Sequence, residues 1–218
     1  MKDKEKDDLK LKREIRALVL LKALYPNIYT EIIKDERPDL KDFSKNVGIE
    51  VTCATYDIKD ALINNFKNEK YNKNTYLINK IKKDKEPCRV YVNSKKTITV
   101  TYWNNISCFI ERLKDKLNKL IEYKKINTFD SYDLYINGES FSLDIEDCNY
   151  LLKEFIKIQE DWKDRYRFIY IQISPLIYKF DLVNNKFDYK NIYDEISFNL
   201  EEIVKEKADK HLNELTKK

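Results

Sequence analysis

The chain has 218 residues, which is enough for one α/β or α+β domain with a substantial core. Apolar residues make up 42% of it and charged residues 37%, so we expect a compact fold with a heavily charged surface. The net charge of +4 permits binding of a polyanion, but it falls far short of the basicity of a dedicated nucleic-acid coat protein.

The scarcity of glycine and histidine excludes several classes of enzyme. With Gly48 and Gly138 as its only glycines, the chain cannot build a P-loop or a dinucleotide-binding glycine turn. The single histidine, His211, excludes catalytic centres that need two histidines, such as those of HNH nucleases and zincins. ATPase, kinase and Rossmann-type functions are therefore not expected.

Cysteine usage and hydropathy favour a cytoplasmic protein. The four cysteines are widely scattered, without the close pairs of a zinc ribbon or a redox motif, so we expect reduced and mostly buried thiols. The apolar run Ile15–Leu24 contains Arg16 and Lys22, which makes it too short and too charged for a signal peptide or a membrane span. We expect no contact with a membrane.

The N-terminal part is predicted to form a helix and then a β-hairpin. Apolar residues at helical spacing predict a helix over Asp8–Leu24, ended by Pro26. After a second short turn at Ile28–Ile33, two strands are predicted over Asp39–Phe43 and Val47–Ala54.

Residues 55–105 are predicted to be an insertion. A polar helix or loop over Asp60–Asn79 precedes two β-like runs, Arg89–Asn93 and Thr97–Trp103, which should form a hairpin. Its aromatic residues, which are interleaved with lysines, could stack on unpaired bases. Its alternating valines and isoleucines instead favour a small core with a solvated lysine face. By analogy with other folds, we expect the insertion to set the substrate or partner.

The rest of the chain alternates helices and strands. An apolar stripe makes Ile106–Lys125 the clearest helix, and a strand over Tyr132–Asn137 follows it and stops at Gly138. The elements predicted beyond it are a helix, two strands and a final helix, at Asp147–Trp162, Phe168–Ser174, Leu176–Val183 and Leu200–Leu215.

Two carboxylates are placed to converge on the predicted hairpin. A Pro-Asp pair ending at Asp39 is followed, after eight residues, by the sequence Gly-Ile-Glu-Val-Thr beginning at Gly48. With the turn centred between Ser44 and Lys45, Asp39 lies opposite Glu50, with ~5 Å between their β-carbons. Because adjacent carboxylates repel each other unless a cation or a proton intervenes, the pair predicts a divalent-cation site.

The alternation of side chains along the second strand agrees with such a site. Glu50 shares one face with Gly48 and Thr52, whereas the apolar residues between them point to the other face, which can pack on a helix. The missing side chain at Gly48 should leave open space beside Glu50 for a ligand or another backbone. The alternative is a surface β-hairpin in which Pro38 begins an edge strand and Asp39 caps a turn.

These residues resemble the PD-(D/E)XK nuclease superfamily, whose restriction-endonuclease-like core has the element order αβββαβ. The resemblance rests on Pro38-Asp39, on Glu50-Val51-Thr52, and on the helix and strand at Ile106–Lys125 and Tyr132–Asn137. It implies an α/β (α+β) fold with a central mixed sheet flanked by helices, an inserted β-hairpin region and C-terminal β/α additions. It also implies one domain over residues 1–218, with its core at about 8–54 and 106–174, the insertion at about 55–105 and a C-terminal extension at about 175–218.

The resemblance further implies the chemistry of the site. Asp39 and Glu50 would bind Mg²⁺ or Mn²⁺, whereas Thr52 stands where the family usually has a lysine that orients the attacking water and offsets charge. Lys116 is a candidate replacement, because it lies at the edge of the apolar stripe of its helix and its stem could bring the ammonium back to the sheet.

A third acid is also expected. In this superfamily an acid from the first helix commonly supports the metal, which points to Glu14 here. Glu31 and Glu36 are rivals for that role, and each of the three could equally be an ordinary solvated acid.

The leading hypothesis is a cytoplasmic, metal-dependent nuclease that hydrolyses phosphodiesters of DNA in preference to RNA. Cutting both strands of a duplex would favour a homodimer. A competing hypothesis, supported by Thr52 in place of lysine, is a nuclease-like fold that has lost catalysis and binds nucleic acid or protein, in a conflict between phage and host. A third is a basic structural or interaction protein, which would require Asp39 and Glu50 to lie far apart.

Overall fold

The structure is a computed structural model that describes residues 2–54, 88–92, 98–102, 106–126, 129–138, 141–196 and 199–215. The helices are α1 (Lys2–Leu24), α2 (Ser107–Ile126), α3 (Ile145–Glu160), α4 (Ile192–Glu195) and α5 (Leu200–Leu215). The strands are β1 (Ile32–Lys34), β2 (Leu40–Asp42), β3 (Val47–Cys53), β4 (Cys88–Val92), β5 (Ile98–Tyr102), β6 (Ser131–Asn137), β7 (Tyr166–Ile173), β8 (Leu176–Asp181) and β9 (Lys186–Asn191).

A mixed sheet of seven strands, in the order β1-β2-β3-β6-β7-β8-β9, organises these elements. Its centre is parallel, because β3 pairs with β6 and β6 with β7 in the same direction. Helix α2 lies in the connection from β3 to β6, and α3 in the connection from β6 to β7, as parallel neighbours require. Antiparallel strands extend the sheet on both sides, and β4 and β5 form a separate antiparallel pair. The predicted mixed α/β architecture is confirmed at this level.

Helices cover both faces of the sheet. Leu24 of α1 and Val204 of α5 belong to one buried apolar cluster, which also contains Ile49 of β3. Leu117 of α2 and Phe155 of α3 belong to a second cluster on the opposite face. Because side chains alternate along a strand, the residues of β3 on either side of Ile49 face the α2 layer.

Local sequence signals explain several element ends. Asp144 begins α3 with a capping box, in which its side chain accepts a 2.8 Å hydrogen bond from the Asp147 backbone N–H and the Asp147 side chain bonds back. Asn46 and Asn185 have φ values of 51° and 50° at the turns between β2 and β3 and between β8 and β9. Asparagine tolerates this left-handed conformation better than most residues do.

The largest departures from the predicted elements are at the two edges of the sheet. Ile32–Lys34 forms β1 where a short turn is predicted, and Lys186–Asn191 forms β9 where no strand is predicted. Edge strands are often short or polar, so the hydrophobic alternation that marks inner strands is weak in them. Helix α1 also begins earlier than predicted, at Lys2. The predicted helix or loop at Asp60–Asn79 lies outside the described residues.

Two further expectations concern thiols and membranes. Cys108 and Cys148 are buried free thiols, as predicted. Burial raises the pKa of Cys108 and of Cys148 to about 12. Among the helices that the structure describes, none is both long and apolar enough to cross a lipid bilayer.

Candidate functional site

The candidate site lies where β2 begins, at the point from which β3 continues beside β6. Leu40 pairs with Ile49, and the next two pairs towards the turn keep the same register. One step further in this register, beyond the first residue of β2, Asp39 lies opposite Glu50. The predicted turn centre, and with it the predicted pairing register of the two acids, is therefore confirmed.

Asp39 is held in place by the backbone of the neighbouring strand. Its Oδ2 accepts a hydrogen bond of 2.8 Å from the backbone N–H of Val51, and the residue is buried. Its Oδ1 lies 3.7 Å from Nζ of Lys10 on α1. One carboxylate oxygen thus fixes the side chain to β3, and the other faces a cation.

Glu50 is approached by two donors from α2. The Nζ of Lys116 and the hydroxyl of Tyr123 both donate to its Oε1, the latter at 3.2 Å. Burial raises the pKa of Glu50, and the nearby charge of Asp39 raises it further, against the opposing effect of Lys116. The fold therefore disfavours the ionised form of Glu50 even with Lys116 in contact. Perturbed pKa values of this kind are common among functional acids.

Glu14 is the third buried acid of the site. Its Oε2 lies 3.0 Å from Nζ of Lys34 on β1, and its Oε1 lies 3.4 Å from Nζ of Lys10. Burial and then the charge of Asp39 raise the pKa of Glu14, while the two lysines lower it. Glu14, Asp39 and Glu50 are exposed by only 3%, 5% and 4%, so all three carboxylates are largely withdrawn from water.

The rival acids occupy different surroundings. Glu31 and Glu36 are exposed, and their backbone N–H groups donate to Asp42 and Asp35, respectively. Of the three acids considered for the third position, Glu14 is the one that the structure places next to Asp39.

Sequence reasoning missed Lys10, Lys34 and Tyr123. Burial lowers the pKa of Lys10, but Asp39, Glu14 and Glu50 outweigh that effect, and the pKa is raised. The spacing of Lys10 and Glu14, four residues apart on a helix, was an available signal for their contact. Tyr123 follows Lys116 by seven residues, which places both on one face of α2.

Thr52 lies beside the site but supplies no positive charge to it. It lies two residues beyond Glu50 on the same face of β3, is half-buried, and pairs with Ile136 of β6. The ammonium that meets Glu50 therefore comes from Lys116, whose position is 66 residues away in sequence.

The expectation of open space at Gly48 is wrong. A Cβ at this position would lie 2.7 Å from Cγ of Pro38, 3.0 Å from the Tyr132 ring and 3.1 Å from the Phe129 ring. Glycine is needed here because these side chains pack against the strand, and Pro38 lies directly before Asp39. Gly48 thus allows the segment that carries Asp39 to pack closely on β3, and it does not open space for a ligand.

No family model, curated protein or solved structure matches this chain. Its function must be argued from the geometry of the site.

The carboxylates of Asp39 and Glu50 are the oxygen donors that the site offers to a hard divalent cation. Within the described ranges, no three histidine, cysteine, aspartate or glutamate side chains are arranged closely enough to hold a metal ion. Mg²⁺ needs fewer protein ligands, because it usually keeps several waters and is held by one or two carboxylates. Asp39 and Glu50 are two such carboxylates, and Glu14 shares the ammonium of Lys10 with Asp39.

Another buried carboxylate, that of Asp133 on β6, lies on the face of the sheet opposite to Glu50. It accepts hydrogen bonds from the Tyr29 hydroxyl at 2.7 Å, from Arg167 Nη2 at 2.8 Å and from the Phe168 backbone N–H at 3.0 Å. The Tyr29 hydroxyl also contacts that of Tyr170 at 3.0 Å. This fully bonded network joins β6, β7 and the segment after α1, so we assign it to stability rather than chemistry.

Proposed function

We propose that this protein is a metal-dependent phosphodiesterase acting on nucleic acid, with a site of the PD-(D/E)XK type. The observation that carries the proposal is that Asp39 lies opposite Glu50 at the start of β2, with the ammonium of Lys116 in contact with Glu50. Two buried acids and one half-buried lysine are the parts that such a site requires.

The order of the elements supports the same proposal. Helix α1 is followed by β1, β2 and β3, then by α2 and β6, with the β4–β5 pair inserted between β3 and α2. This is the αβββαβ order of the restriction-endonuclease-like core. Asp39 directly precedes the second strand, Glu50 lies on the third strand, and Lys116 lies on the second helix.

Each residue of the site has a separate task in the proposed reaction. Asp39 and Glu50 would hold Mg²⁺ or Mn²⁺, which supplies Lewis-acid activation of water and neutralises phosphate charge when bound. Lys116 contributes a positive charge next to Glu50, where it can orient a water and offset the charge that develops on the phosphoryl oxygens. Tyr123 donates to Oε1 of Glu50 and helps to fix that carboxylate in place.

Cleavage assays test this proposal directly. Plasmid DNA, single-stranded DNA and RNA are incubated with Mg²⁺ or Mn²⁺ and wild-type protein, Asp39→Ala or Glu50→Ala. We expect cleavage of DNA in preference to RNA, and a loss of at least about a hundredfold in each variant, because both acids hold the same cation. Asp188→Ala is the matched control, since Asp188 is an exposed acid on β9 at the far edge of the sheet. Equal cleavage by wild type and both site variants would refute the assignment.

A second function is favoured by one observation, the threonine at position 52. A nuclease-like fold without catalysis would bind nucleic acid or protein and need no cation. Titration with Mn²⁺ separates the two proposals: an inactive scaffold would show Mn²⁺ binding that does not depend on Asp39 or Glu50. The cytoplasmic location and the homodimer stay predictions, and the latter is checked by the mass of the protein in solution.

A further inference from the structure

Lys10 contacts the acid cluster more loosely than an ordinary ion pair would. Its Nζ lies 3.4 Å from Glu14 Oε1 and 3.7 Å from Asp39 Oδ1, whereas charge-assisted N–H···O bonds are typically about 2.7–2.9 Å long. Its side chain is 67% exposed, although both of its acid partners are buried. The ammonium therefore lies near two buried carboxylates while most of the Lys10 side chain remains in solvent.

The other two lysines of the cluster differ in this respect. The side chain of Lys34 is 17% exposed and lies 3.0 Å from Glu14, and that of Lys116 is 12% exposed and contacts Glu50. Each of these lysines has one close carboxylate and little freedom to leave it. Of the three, Lys10 is the one that can move into water at small cost.

The charges of the site explain why such a lysine would be useful. Three ionised carboxylates, those of Glu14, Asp39 and Glu50, are balanced by the ammonium groups of Lys10, Lys34 and Lys116. If a divalent cation takes the place of Lys10, the cluster gains a single positive charge. One positive charge matches the single negative charge of a phosphodiester, which is the substrate class of the proposed function.

We propose that Lys10 is a tethered counterion of Asp39 and Glu14 that is displaced from Asp39 when the divalent cation binds there. This inference rests on the proposed function, because it requires a cation site at Asp39. In the absence of metal, Lys10 keeps the buried acids from repelling one another. Once displaced, it stays on α1 at the rim of the site, so the metal must compete with it for binding.

The alternative to a tethered counterion is an ordinary surface ion pair between Lys10 and Glu14, which are four residues apart on α1. Such pairs contribute little, and a lysine of this kind would have no influence on metal affinity. The two interpretations therefore predict different results when Lys10 is removed. A tethered counterion predicts tighter metal binding, and a surface ion pair predicts no change.

The test is a titration of Mn²⁺ into metal-free protein, followed by the electron paramagnetic resonance signal of free Mn²⁺. Four proteins are compared: wild type, Lys10→Met, Lys12→Met and Asp39→Ala. Lys12 is the matched control, because it lies on the same helix and its Nζ contacts Asp8 at 2.6 Å instead of the acid cluster. Lys10→Gln serves as a second variant if the methionine impairs folding.

We expect Lys10→Met to bind Mn²⁺ about tenfold more tightly than wild type, because the cation no longer competes with an ammonium group near two carboxylates. Mn²⁺ should also raise the melting temperature of this variant more than that of wild type, whereas Lys12→Met should behave like wild type.

The possible failures are distinguishable. If Asp39→Ala binds Mn²⁺ as wild type does, the proposed function itself is wrong. If Asp39→Ala loses Mn²⁺ binding but Lys10→Met binds no more tightly than wild type, only the role of Lys10 is overturned. Equal tightening in Lys10→Met and Lys12→Met would also overturn it, because the effect would then reflect net charge alone.

Discussion

Thr52 and Lys116 together define the chemistry available beside Glu50. In the family that the motif resembles, the residue at position 52 is usually a lysine, and here a threonine on the same face of β3 leaves no positive charge on that strand. Lys116 reaches Glu50 from α2 and supplies the ammonium from another element. A single positive charge next to the acid pair can therefore be provided from either position, provided that its ammonium reaches the same carboxylate.

This leads to a prediction about moving the lysine. Lys116→Met should reduce cleavage by about a hundredfold or more, because a preorganised cation beside the developing charge is removed. The double variant Thr52→Lys/Lys116→Met should recover part of the loss, since position 52 lies on the face that carries Glu50. The readout is kcat on a single-stranded DNA substrate at saturating Mg²⁺, with Lys119→Met as the exposed control on α2. Unchanged kcat in Lys116→Met would remove the lysine from the mechanism.

At the level of elements, the site depends on two helices approaching one strand from opposite faces. Helix α1 brings Lys10 and Glu14 to Asp39, and α2 brings Lys116 and Tyr123 to Glu50. Both acids lie near the start of β2, where β3 continues along β6 alone. The relative placement of the helices is fixed by the apolar clusters on the two faces and, on the α1 side, by the network around Asp133.

The Asp133 network yields a prediction of stability. Arg167→Met should lower the free energy of unfolding by about 3 kcal/mol, because it leaves a fully buried carboxylate without its cation. Lys124→Met breaks the more exposed ion pair with Asp164 and should cost less than about 1 kcal/mol. Urea denaturation of the two variants provides the comparison. Similar losses in both would show that Asp133 does not depend on Arg167.

For the molecule as a whole, the ionised forms of Glu14 and Glu50 lower the stability of the fold. The pKa of Glu14 is raised by burial and by Asp39, and that of Glu50 is raised by burial and by Asp39 as well. An acid whose pKa is higher in the folded than in the unfolded state binds more protons when folded. Its contribution to stability is thus complete below the unfolded pKa and is lost as the pH rises through the folded pKa.

Glu14→Gln tests this dependence on pH. The variant should melt roughly 2–4 °C higher than wild type at pH 7, because it removes an ionised acid that the folded state disfavours. The difference should shrink to zero below about pH 4, where the glutamate is protonated in both states. Glu122→Gln, at an exposed position of α2, should show neither effect. A lower melting temperature of Glu14→Gln at pH 7 would show that the lysines outweigh burial and repulsion.

The sequence by itself determined the local features of this protein. The hairpin register that pairs Asp39 with Glu50 depends on the turn between β2 and β3 and on strand alternation, both of which involve neighbouring residues. The apolar stripe of α2 likewise placed Lys116 at the edge of the buried face, and the order of helices and inner strands followed from periodicity.

Only the tertiary structure decided which charges meet. Lys10 meets Asp39, and Lys34 meets Glu14, because α1 packs on the sheet beside β1 and β3. Asp133 meets Arg167 because β6 and β7 are neighbours. The space beside Gly48 is filled by Pro38 and by two rings from the segment around β6, which no local pattern indicates. Contacts between residues far apart in sequence depend on how whole layers pack, and hydrophobic periodicity specifies which face of an element is buried but not which polar side chains lie at its rim.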